Sequence, residues 1–179
     1  MSTKVLDSER RGEAAYESIG IAGPCSDLLV GALFEKNVLV SEEPCTSFDA
    51  CLIRKAASAV VFVRSSIDFS SQKNWAIAHE WGHFELHPDL DQFICSSSDL
   101  SGYKNNSFEL EANAFAAGLL MPSSLFFGLC EGSSPCLEVV LDLSASFGVG
   151  PVAAARRYFS RCPHAAMAIF SKEGAITSY

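Results

Sequence analysis

The segment NWAIAHEWGHFELHP, residues 74–88, holds three of the chain's four histidines and fixes how the rest is read. His79 and His83 are four residues apart, and on a helix positions i and i+4 stand one above the other on the same face. Two imidazoles so placed can grip one metal ion from one side. Glu80 lies roughly 100° further round the helix, within reach of water at that metal without ligating it. Zinc held by neutral imidazoles acidifies water and polarises a carbonyl. A carboxylate alongside takes the proton of attacking water and returns it to a leaving amine. H-E-x-x-H on a helix is thus a compact hydrolytic device, with Glu80 in the catalytic role. The competing reading is two surface histidines beside a solvated glutamate.

A catalytic zinc needs a third protein ligand. The extended pattern H-E-x-x-H-x-x-G-x-x-H is excluded, because Leu86 and Asp89 occupy its glycine and last histidine. His87 lies one turn further along the stripe, but a straight helix cannot wrap three stacked residues round one tetrahedral ion. It is read as a helix-end residue or a support for a ligand. The other source is SFELEANAFAAGLLMP, residues 107–122. Glu109 and Asn113 share a helix face there. Glu109 can complete the site while Asn113 hydrogen-bonds a ligand. Glu109 can equally close a capping box with Asn106, leaving Glu111 as the ligand. Spacing alone does not separate these.

Working outward, residues 8–19 and 26–36 read as helices, the second capped by Ser26 or Asp27. Residues 38–42, 50–54 and 58–64 are rich in β-branched residues and predict a small antiparallel sheet. A helix over 71–87 is capped by Ser70 or Ser71 and stopped by Pro88. Residues 88–106 read as one long loop, and 107–121 as a helix with Phe108, Ala112, Phe115, Ala116 and Leu119 on one stripe. Gly118 costs that helix about 1 kcal/mol relative to alanine. Helices at 136–146 and 150–160 flank a Gly-Val-Gly turn, and a hairpin follows from 166 to 179. The expected class is α+β, a zincin-like core. One domain is expected over 1–179, with a peptidase core at 25–122 and a helical pair and hairpin at 123–179 packed on it.

The 179 residues are 49% apolar and 19% charged, which suits a folded globular chain. The net charge of −8 disfavours nucleic acid and anionic membrane as partners. The first twenty residues hold no apolar run, and the most apolar stretch, GLLMPSSLFFGLC, is broken by Pro122 and two serines. A cytoplasmic protein is expected. The seven cysteines are odd in number and lack C-x-x-C spacing, so they read as small core residues.

The two blocks, NWAIAHEWGHFELHP and, about twenty residues later, ELEANAFAAGLLMP, together resemble the ImmA/IrrE family of metallopeptidases. The resemblance runs over about residues 25–179. It implies His79 and His83 as metal histidines, Glu80 as the catalytic glutamate and Glu109 as the third ligand. The implied cofactor is one Zn2+ per chain, with Mn2+ the alternative. Trp81 departs from the usual leucine and is expected to face away from the metal. No C-terminal sensor domain and no N-terminal DNA-binding domain is expected. The implied partner is a protein substrate, a DNA-binding repressor of the helix-turn-helix type cut in a stress, DNA-damage or mobile-element response.

Two other classes compete. The helices around the Gly-Val-Gly turn look like a helix-turn-helix, but Glu131, Glu138 and Asp142 balance Arg156, Arg157 and Arg161. That favours a packed helical pair over a DNA reader. A zinc-holding regulator or anti-repressor without proteolysis is the other, against which Glu80 argues. Tyr103 and His164 are candidates for stabilising an oxyanion, each more often plain structure.

Overall fold

The computed structural model describes residues 3–89, 92–95, 107–130, 134–160, 166–172 and 175–178. Helix α1 covers Thr3–Ile19, a 3-10 turn Ser26–Leu28, and α2 Leu29–Glu35. Strands β1 (Val38–Glu43), β2 (Ala50–Lys55) and β3 (Ser58–Arg64) precede α3 (Ser70–Leu86). Then come β4 (Gln92–Cys95), α4 (Ser107–Leu120), α5 (Ser123–Cys130), α6 (Leu137–Phe147), α7 (Pro151–Phe159), β5 (Phe170–Lys172) and β6 (Ala175–Ser178). The class is α+β, as the sequence predicts.

The sheet is mixed, not antiparallel. Its order is β1-β3-β2-β4, and β1 runs parallel to β3 while β2 is antiparallel to both β3 and β4. The tight β2–β3 hairpin explains this. It takes one edge of β3 and leaves the other for β1, and the short β1–β2 connection, from Glu43 to Ala50, sets β1 opposite to β2 and so parallel to β3. β3 is central and alternates strictly, with Ala59, Val61 and Val63 buried on one face. Ala56 in the hairpin turn adopts φ 53°, the left-handed region.

Other expectations need correction. Ser26 and Asp27 do not cap α2; they form the 3-10 turn before it. Phe69, not Ser70 or Ser71, stands at the start of α3, without a side-chain cap. The expected loop 88–106 contains β4, which extends the sheet beside β2. Helix α5 was not expected; Pro122, read as a stop for the preceding helix, also opens this one, since its carbonyl accepts from Leu125 and Phe126.

The core lies between the sheet and the helices, with Trp81, Phe115, Phe126 and Phe147 fully buried. Trp81 points into this core, its ring 6.4 Å from that of Phe115 and its Nε1–H donated to Glu85. Burial pushes the Cys25 thiol up to about 11, so it behaves as an inert small core residue.

Helices α1 and α4 meet backbone to backbone. A β-carbon on Gly118 would fall on the carbonyl oxygen of Glu9, and one on Gly12 on that of Phe115. Helix propensity alone predicts that Gly118→Ala stabilises. The packing predicts the reverse, because the obstacle is backbone and cannot swing aside. Gly118→Ala is expected to cost about 1–3 kcal/mol, read from the urea midpoint at unchanged slope. A midpoint at or above wild type would contradict this packing.

Arg157 ties α7 to α1. It is 5% exposed and bonds Glu9 (2.5 Å), Glu13 (3.1 Å) and the Met121 carbonyl (3.1 Å). One of the three arginines weighed for phosphate contact is thus committed inside the protein. Arg156 lies over the Phe170 ring. Arg161 and Glu131 lie outside the described residues, as do Tyr103, Asn106 and His164.

Candidate metal centre

Helices α3 and α4 build the site. Gly82 lets them close: a β-carbon there would lie 3.1 Å from the Ala112 backbone and 3.2 Å from Phe115. The sequence reading passed over this glycine, whose only signal is its place between Trp81 and His83 in a helix. The close approach brings the first turn of α4 onto the histidine face of α3.

There His79, His83 and Glu109 converge, each buried, with ligating atoms all within 4.8 Å of one another. His79 Nε2 is 3.1 Å from Glu109 Oε2, His83 Nε2 is 3.5 Å from Glu109 Oε1, and the two Nε2 atoms are 3.0 Å apart. Glu80 is fully buried beside His79 on α3. Glu111 does not join the triad; it meets His87 Nε2 at 3.2 Å.

The hydrogen bonds around the triad have a fixed direction. Trp75 Nε1 can only donate, and it lies 3.2 Å from Asn113 Oδ1. The same oxygen is 3.1 Å from His79 Nδ1, so that nitrogen carries the proton and donates. A neutral His79 then has its lone pair on Nε2, facing the Glu109 carboxylate and a second imidazole. Burial lowers the His83 pKa to about 4, against the opposing pull of Glu109, so this ring is neutral near pH 7. Burial by itself would raise the Glu109 carboxyl, but its contacts with His79 and His83 hold it well below the usual carboxylate range.

Electron-rich atoms facing one another at this range call for a cation between them. Tetrahedral zinc, with bonds of about 2.0–2.2 Å, spaces its N and O ligands about 3.3 Å apart. The observed 3.0, 3.1 and 3.5 Å bracket that spacing. The donor set, two imidazoles and a carboxylate, suits zinc. His79, His83 and Glu109 therefore fit a divalent metal.

Among the described residues, the geometry brings together the three residues that the sequence proposed as ligands. It sets Asn113 behind His79, as spacing suggested, and adds Trp75 behind Asn113, which spacing could not. His87 supports His83, with Nδ1 to Nδ1 at 3.0 Å. Glu109 is engaged with both histidines; the capping box weighed for it involves Asn106, which lies outside the described residues.

No curated protein matches the chain. Among solved structures, a Mycobacterium tuberculosis transcriptional regulator is similar, with TM-score 0.57 and 17% identity over 89% of this chain and 48% of that one. The chain thus spans about half of that protein's length, and the likeness is one of fold. The family described as IrrE N-terminal-like domain, a peptidase family, matches residues 35–159. That match takes in α3, α4 and all three metal-site residues, and the chain belongs to this family.

Proposed function

We propose that the protein is a zinc-dependent endopeptidase whose substrate is a helix-turn-helix transcriptional repressor. The observation that carries the reading is the convergence of His79, His83 and Glu109 with Glu80 buried one residue from the first histidine. A structural zinc site is closed by four ligands and has no use for such a carboxylate. Among the described residues three ligands converge, the number a catalytic zinc site uses when it keeps a fourth position for water or substrate.

The three side chains would hold the metal. Zinc there supplies a Lewis acid that acidifies water and polarises the scissile carbonyl. The protein's own part is positional. Asn113 and Trp75 hold the His79 ring in place, and Glu109 stays ionised. Glu80 accepts the proton of the attacking water and delivers it to the departing amine. The repressor as substrate rests on the resemblance to the ImmA/IrrE family, in which cleavage of such repressors is a common role. The net charge of −8 suits a basic partner.

Elemental analysis of the purified protein is expected to give one zinc per chain. The loaded protein, mixed with helix-turn-helix repressors and followed by intact-mass spectrometry, is expected to cut one at a single bond. A chelator should stop the cleavage and added zinc restore it. Failure to take up zinc would sink the reading. Zinc uptake with binding but no cut would leave a non-proteolytic regulator.

A further inference from the structure

Helix α4 presents two gripping surfaces to α3. Glu109 and Asn113 meet the triad. Phe108 and Glu111, three residues apart on a neighbouring face, meet His87 instead. The Phe108 ring packs edge-on against His87 at 4.7 Å, and Glu111 Oε2 lies 3.2 Å from His87 Nε2. His87 has left the helix, with φ −126° and ψ 61°, because the residue before proline resists helical angles. It is 6% exposed and stands 3.0 Å from His83. Nothing in the proposed reaction uses this pair.

We propose that Glu111 and His87 are positioning residues that present the His83 Nε2 lone pair to the metal, a role that rests on His83 being a zinc ligand. The logic is directional. A carboxylate can only accept, so His87 donates from Nε2 to Glu111. Its Nδ1 is then the acceptor of a hydrogen bond from the Nδ1–H of His83. With that proton placed, His83 has only Nε2 left for the metal. The chain Glu111–His87–His83 is the counterpart of Trp75–Asn113–His79, except that here an imidazole relays a carboxylate's hold. Partners of this kind fix the tautomer and ring orientation of a ligand, and their loss typically costs 10–100-fold in metal affinity. The arrangement also gives Glu111 a task other than ligation.

The test uses the full chain, zinc as the probe, chelator competition for affinity and NMR of the imidazole nitrogens for tautomers. In the zinc-loaded protein His87 is expected to carry its proton on Nε2 alone. His87→Leu is expected to weaken zinc binding by about 10–100-fold. His87→Asn, whose Oδ1 takes the place of Nδ1 and can accept from His83, is expected to recover much of that loss, which a merely structural role would not predict. A proton on His87 Nδ1, or wild-type affinity in His87→Leu, would overturn the proposal. Should His87→Leu fail to fold, the wild-type tautomer and the affinity of Glu111→Leu decide instead; unchanged affinity there also overturns it. A wild-type protein that takes up no zinc is a different failure, and strikes the parent reading.

Discussion

Glu80→Gln is expected to slow cleavage of the repressor by about 10²–10⁴-fold, the usual contribution of a positioned general base, while zinc content and repressor binding stay at wild-type levels. The substitution keeps size and shape and removes only the charge and the ability to take a proton. Glu80 is fully buried, so an amide there costs less to desolvate than a carboxylate. The variant should fold at least as well as the parent, and lost activity cannot then be blamed on lost structure. Single-turnover cleavage with saturating enzyme isolates the chemical step. A variant that cuts at the parent's rate would remove Glu80 from the reaction. A parent that binds but never cuts would make the site a zinc-holding module.

Glu109→Ala is expected to abolish stable zinc binding. Of the three groups brought together in the triad, it alone is anionic, and its carboxylate spans both imidazoles, at 3.1 and 3.5 Å. Without it two neutral nitrogens remain. The loss should exceed the 10–100-fold typical of an outer partner. Glu111→Ala separates the two roles: it is expected to stay loaded when zinc is in excess and to show weaker binding only under chelator competition. Elemental analysis after zinc loading checks the first, and titration against a chelator the second. Zinc retained in Glu109→Ala and lost in Glu111→Ala would exchange the two glutamates and overturn the site as drawn.

The comparison of these two glutamates also marks what the chain made legible. Periodicity placed both on one helix and left the choice open, because residues two apart on a helix face different neighbours and the sequence does not say which neighbour is where. The histidine pair was legible from four-residue spacing alone, which geometry converts directly into a shared face. The sheet was legible as strands and misread as pairing. β-Branched runs report a pleated, half-buried surface, but not that β1 would pair with β3 and not with its sequence neighbour β2, which is what makes the pairing parallel. The serine caps failed for a related reason. Ser26 lies inside a 3-10 turn, and Phe69, extended and without a side-chain cap, takes the N-cap place of α3. Gly12, Gly82 and Gly118 carried no periodic signal. Their meaning is the thickness of a helix contact, visible only once two helices are laid together.

The glycine contact between α1 and α4 also bears on the order of events during synthesis. The surfaces that meet there are about a hundred residues apart in the chain. At roughly 5–20 residues per second, α1 emerges from the ribosome about 5–20 s before the helix it is shaped to fit. A lone helix of 17 residues is marginal in water, and the backbone seat that Gly118 provides comes only with α4. Helix α1 is therefore settled only after α4 is made, and its arrival seals the back of the same helix whose front carries Glu109.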